Sequence, residues 1–228
     1  MQVLDSIFAA DSALMRVLSK FADVVVLNLV FVLTSLPVLT LGASLTALHA
    51  TARRIVQNRT EGVAGDYLHA FRSNLKSGSA LLGALAGLGV VLGAWYVVVN
   101  SFVVNPTAQL ILLAGWLVIV LQFLATCLFA FPYLATFDDP TPRVLRNALL
   151  MSWRHPLTAA AAALLVGLPI VLTIFYPHAT VYGLLWFAFG FGAIATLTQI
   201  LFTRVFAHYL PAPRPEPASQ DGTARAHS

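Results

Sequence analysis

Long apolar runs, broken at few places, dominate the chain. From Ser77 to Phe137, and again from Leu157 to Thr203, no Asp, Glu, Lys or Arg occurs. A helix needs about 20 residues to cross the hydrocarbon of a bilayer, so each run can hold two crossings. The first run divides into helices over 78–102 and 108–134 around "NPT", where Asn105 can cap the second helix and Pro106 can take its first turn. The second divides into 157–176 and 180–206 around "YPHAT", with Pro169 expected to kink the earlier helix. A transmembrane barrel is excluded, because it would alternate polar and apolar residues in segments of about ten.

The first third of the chain is more mixed. Residues 3–18 place Val3, Ile7, Leu14 and Leu18 on one side, which predicts an interfacial helix leading into the membrane. A crossing follows over 21–36 and ends at Pro37, which cannot hydrogen bond into the preceding turn. After "PVLTLG" a second, more polar leg is expected over 41–56. "EGVAGDYLHAFRSNLK" then predicts an amphipathic surface helix with Ala64, Leu68, Phe71 and Leu75 on its apolar face. "FDDPTPRVLRNALLMSWRHP" predicts another, with Thr141 as N-cap and Pro142 at the first helical position. "FRSNLKSG" and "MSWRHPLT" each close a basic stretch and open an apolar hairpin, which reads as the shared pattern of surface helix and hairpin rather than a true repeat.

Composition agrees: of 228 residues, 59% are hydrophobic and 10% charged, against roughly 25% charged in a soluble domain. No signal peptide is legible, since Asp5 and Asp11 interrupt the start, and the first apolar helix is expected to remain as an anchor. Charge placement sets the expected topology. Arg53, Arg54, Arg59, Arg72, Lys76, Arg143, Arg146, Arg154, Arg204 and Arg214 lie in linkers or at the end, and the loops near Asn105 and Pro177 carry no Lys or Arg. The positive-inside rule then puts the basic linkers and the C-terminus in the cytoplasm. Arg16 and Lys20 give the N-terminus the same side, so the region from Phe21 to Arg53 must cross twice or re-enter. The expected fold is an all-α polytopic transmembrane bundle of six spans with amphipathic cytoplasmic surface helices. It forms a single integral membrane domain over 1–210, followed by a disordered cytoplasmic tail over 211–228. The alternative has five spans, one early crossing and an outward N-terminus.

The candidate site is the interruption "LTSLPVLTLGASLTAL". Pro37 would end one leg and Gly42 would permit the turn, while Thr40, Ser44 and Thr46 would satisfy exposed backbone groups at an outward tip or re-entrant apex. A solute-contacting role for the same residues is the rival reading. Asn28, Gln122 and Gln199, with Thr34, Thr126 and Thr196, fall in apolar surroundings, where amides serve as interhelical hydrogen-bond links or bind a solute. Ser79, Gly83 and Gly87, and Gly89 with Gly93, form small faces suited to close helix contact inside the bundle or between subunits.

No constellation for catalysis is legible: there is no nucleophile with a base, no paired carboxylates and no metal-ligand spacing. The six histidines are scattered and are each expected at an interface. Cys127 is single, so no intrachain disulfide forms, and Lys20 with Asp23 reads as an ion pair at a helix start. No enzyme activity, metal or cofactor is expected. The net charge of +4 is spread over the linkers, which suits anionic lipid headgroups and needs no nucleic acid.

Asn28, "SLPVLTLGASLTAL", "AFRSNLK", "FPYLATFDDP" and "RNALLMS", in that order, resemble the YesL-like family of bacterial integral membrane proteins, a family of unknown function. The resemblance covers roughly residues 15–208 and implies a multi-pass protein of the bacterial cell membrane. Family members are often encoded beside carbohydrate-uptake transporters and glycoside hydrolases. This implies an accessory or assembly role for a sugar transporter component, with a permease for a small uncharged solute such as a sugar as the alternative. The cytoplasmic linkers lack the Glu-Ala-Ala-x-x-x-Gly signature by which importer permeases engage their ATPases. The oligomeric state is not legible.

Overall fold

The computed structural model describes residues 13–175 and 183–206. Most of the expected interfacial helix over 3–18, the "YPHAT" connection and the tail over 211–228 lie outside the described residues. All regular structure among the described residues is helical. Helix α1 spans Ala13–Ser35, a 3-10 turn Val38–Thr40, α2 Leu41–Val56, α3 Val63–Ser73 and α4 Leu75–Phe102. Helix α5 spans Pro106–Leu134, α6 Thr141–Arg154 and α7 Pro156–Phe175, while α8 covers Gly183–Phe206 and includes a π-helical turn over Trp186–Gly190.

Five helices, α1, α4, α5, α7 and α8, are long and apolar enough to cross a membrane. Helix α2 forms over the residues expected for a sixth crossing. At 16 residues it falls short of the roughly 20 needed, and Arg53 and Arg54 occupy its last turn. Instead it is the central helix, packing against α1, α3, α4, α5 and α8, with Ala43, Ser44, Ala47, Leu48 and Ala52 all buried. The exterior is apolar: Leu33, Val90, Leu110 and Ile174 are 65%, 71%, 70% and 70% exposed. Contiguous apolar surface of this kind belongs against lipid, and the chain is a multi-pass membrane protein.

Local sequence explains the helix boundaries. The Asn105 side chain accepts from the Thr107 and Ala108 N–H groups at 3.0 and 3.2 Å, and Pro106 opens α5 as expected. Helix α6 starts one residue before the expected first position: Pro140 is the cap, and its carbonyl accepts from the Arg143 and Val144 N–H groups. Thr141 makes no cap bond because it already lies inside the first turn. Pro169 and Pro132 sit within α7 and α5 without ending either helix.

Helix α3 turns a different face inward from the one expected. Val63 and Tyr67 are buried, whereas Ala64 is exposed and Leu68 is 39% exposed. The two basic stretches have structural counterparts. At Asn74, between α3 and α4, the N–H bonds to the Ala70 carbonyl and the carbonyl accepts from the Gly78 N–H. At His155, between α6 and α7, the Met151 carbonyl and the Ala159 N–H play the same parts. Each break is a one-residue interruption in a hydrogen-bond ladder that resumes.

Two apolar clusters hold the bundle. Leu27, Phe31, Ala47, Leu48, Tyr67 and Ala195 join α1, α2, α3 and α8. Leu81, Phe129, Val144, Ala162 and Phe202 join α4 to α8, with the Phe129 and Phe202 rings 4.7 Å apart.

Candidate functional site

At the interruption, α1 stops at Ser35 and leaves its last carbonyls without helical partners. Hydroxyls take their place. Thr40 Oγ1 lies 2.9 Å from the Thr34 carbonyl and 2.8 Å from that of Pro37, and Ser44 Oγ lies 3.0 Å from the carbonyls of Thr34 and Thr40. Thr46 instead bonds within its own helix, to the Gly42 carbonyl at 2.9 Å. Tyr67 reaches this end from α3: its hydroxyl is 2.5 Å from Thr34 Oγ1 and 3.4 Å from the Ser44 carbonyl. Burial raises the Tyr67 phenol above its ordinary range, so it stays neutral. An Arg54–Asp66 ion pair at 2.5 Å clamps the opposite end of α2 to α3.

Gly42 does not lie in the turn; it sits inside α2. A Cβ there would stand 2.1 Å from the Gly78 carbonyl oxygen, and a Cβ on Gly78 would stand 2.8 Å from Ala43 Cα. Glycine is required because the backbones of α2 and α4 meet. Beside this contact Ser79 Oγ donates to the Leu39 carbonyl at 2.9 Å. The apex therefore touches the first turns of α4. The expected small faces behave differently: Gly83, Gly87 and Gly93 meet open space, and Gly89 has Phe123 alone, at 3.8 Å.

The three amides serve separate junctions: Asn28 and Gln199 are buried and Gln122 is half-buried. Asn28, fully buried on α1, donates from Nδ2 to the Trp186 and Phe187 carbonyls at 3.0 and 2.7 Å and accepts from the Gly192 N–H at 2.9 Å. These three backbone groups lie in or just after the π-helical turn, and a Cβ on Gly192 would come 2.7 Å from the Val24 carbonyl oxygen. Gln122 donates to Ser152 Oγ at 2.7 Å, tying α5 to α6. Gln199 Nε2 lies 3.3 Å from His49 Nδ1, while Gln199 Oε1 and Thr51 Oγ1 are buried with no hydrogen-bond partner among the described residues.

His49, expected at an interface, lines a chamber of about 520 Å³ between α2, α5, α7 and α8. Its walls include Cys127, Phe131, Ile170, Trp186 and Ala195 and are almost wholly apolar. A separate, more polar cleft is bordered by Arg16, Lys20 and Asp23 of α1 and by Ile55 and Asn58 at the far end of α2. The "FDDP" loop carries a third polar group. Asp139 accepts from Arg143 at 2.9 Å and from the Tyr133 hydroxyl at 2.8 Å, and Asn147 donates to that hydroxyl at 2.7 Å. Arg143 first, and Tyr133 next, hold the Asp139 carboxyl below the usual carboxylate range.

Sequence reasoning missed Tyr67, Gly78, His49 and Trp186. Val63, Tyr67 and Phe71 recur four apart, so the inward face of α3 was present in the pattern. Nothing local marks Gly78 as the partner of Gly42, because that pairing exists only once two helices cross.

Residues 24–97, which contain Asn28, the apex, Tyr67 and Gly78, match a family described as "Protein of unknown function, DUF624". No curated protein and no solved structure matches the chain. Over that segment, from within α1 to within α4, the chain is similar to a family to which no function is assigned.

Proposed function

We propose that this chain is a YesL-like accessory or assembly subunit of a carbohydrate-uptake system in a bacterial plasma membrane, without catalytic activity of its own. The observation that carries the reading is how the interior polar groups are used. Asn28, Gln122, Thr34, Thr40 and Ser44 bond to the protein itself, and the chamber between the helices is walled by hydrocarbon. Each sugar hydroxyl buried there without a partner would cost about 1–3 kcal/mol, which opposes the permease reading. Helix α6 supplies a docking face, burying Val144, Ala148 and Met151 while exposing Arg143, Arg146, Trp153 and Arg154.

The bundle crosses the bilayer five times, through α1, α4, α5, α7 and α8, with α2 and α3 folded back beside α1. The contact of Leu39 and Gly42 with Ser79 and Gly78 supports one face for the apex and the start of α4. Arg72, Lys76, Arg143, Arg146, Arg154 and Arg204 make that face cytoplasmic. The N-terminus is then outward, the reverse of the side expected from Arg16 and Lys20. At that end Arg54 is paired with Asp66, and Lys20 and Asp23 border one cleft, which offsets part of the positive charge.

Affinity isolation from native membranes, combined with sugar uptake into liposomes, tests the function. The chain should retain an importer component that an Arg143→Glu, Arg146→Glu variant loses, and the purified protein should move no sugar. Uptake by the purified protein, with no importer component recovered, would overturn the reading.

A further inference from the structure

The chamber between α2, α5, α7 and α8 has the size of a small-molecule site, about 520 Å³ against a usual range of roughly 300–1,000 Å³. Its lining is hydrocarbon and aromatic, so water gains few bonds there. A second apolar cavity of about 270 Å³ shares Thr173, Trp186 and Ile194 with it. That second cavity is also bordered by Leu172 and Leu185, which are 41% and 40% exposed on the lipid-facing surface of α7 and α8. Trp186 stands between the two spaces, its Nε1–H bonded to Thr173 Oγ1 at 3.0 Å. The chamber and the lipid-facing cavity thus share the wall formed by Trp186, Thr173 and Ile194.

Of the polar side chains in the lining, Thr173 and Thr198 donate to carbonyls of their own helices, Pro169 and Ile194, and His49 stands apart. Gln199 Nε2 lies 3.3 Å from His49 Nδ1; with the amide donating to Nδ1, the imidazole carries its proton on Nε2. That N–H has no partner among the described residues, although His49 lines the chamber. The Gln199 Oε1 next to this pair is also buried and unpartnered, on a side chain with 0% exposure. A ligand that fits needs a long apolar body and one oxygen-bearing end able to accept from His49. We propose that this chamber binds a single-chain lipid, taken from the bilayer between α7 and α8, with its oxygen-bearing end at His49 Nε2.

The test uses dibromostearic acid, whose bromines quench a nearby indole, and full-length protein in detergent that retains Trp186 as its single tryptophan (Trp95→Phe, Trp116→Phe, Trp153→Phe). Quenching should saturate and be relieved by unbrominated stearic acid. Ile170→Phe, which fills the chamber, should weaken apparent affinity at least tenfold, and His49→Leu several-fold, with helical circular dichroism unchanged. Mass spectrometry of lipids co-purified with the unmodified protein and with Ile170→Phe gives a second reading that does not depend on the tryptophan variants. A single-chain lipid retained by the former and lost from the latter supports the proposal. Quenching that rises without saturation and equally in Ile170→Phe, or identical co-purified lipids in both, would overturn it.

Discussion

Tyr67 shows how a side chain on a polar helix can fasten an apolar one. Replacing it by Phe keeps the buried ring and removes only the hydroxyl bonds to Thr34 and Ser44. Thr34 Oγ1 retains the Val30 and Phe31 carbonyls, so no group is stranded and the expected cost is about 1 kcal/mol, read as a lowered unfolding midpoint in detergent. Asn28→Leu is a harsher change. It removes three buried bonds at once, from the Trp186 and Phe187 carbonyls and the Gly192 N–H, and a loss of at least about 2 kcal/mol is expected in the same assay. Asp139 gives a pH signature. Its folded-state pKa is lowered, so its stabilisation is present above the ordinary carboxylate range and disappears as pH falls through the lowered value. Thermal stability of the unmodified protein should therefore drop in acid more steeply than that of Asp139→Asn; parallel curves would contradict this role.

Between elements, the decisive contact is the crossing of α2 and α4. Gly42→Ala or Gly78→Ala pushes a methyl group into backbone, which cannot rotate away, so the cost should reach the upper part of the roughly 1–3 kcal/mol range for overpacking. Ala at Gly83 or Gly87, which meet open space, should leave the unfolding midpoint unchanged. Helix positions were largely legible in the sequence: runs without charges gave α4, α5, α7 and α8 within a few residues, and Asn105–Pro106 gave the start of α5. The inward face of α3 was misread because Ala64 and Leu68 also recur at helical spacing, and only packing against α2 selects Val63 and Tyr67. Gly42 was assigned to a turn because proline and glycine close together signal one, whereas its real constraint comes from a helix distant in sequence.

For the whole molecule, counting charges gave an even number of crossings because it treats every basic residue as belonging to one face. Contacts carry different information: the apex, which this count makes an outward tip or a re-entrant turn, is bonded to the start of α4. Of the candidate site, the hydroxyl bonds at the turn were legible from residue types, while the apolar chamber was not, because its walls come from four helices separated in sequence. The central claim is that the Pro37 apex and the start of α4 share one membrane face, opposite the loop after α4. Leu39 and Val104, 85% and 93% exposed, mark these two places. In a Cys127→Ala background, Leu39→Cys and Val104→Cys can each be treated with a membrane-impermeant maleimide in sealed vesicles of known orientation. Labelling from opposite sides is the predicted result; labelling of both from the same side would contradict the account.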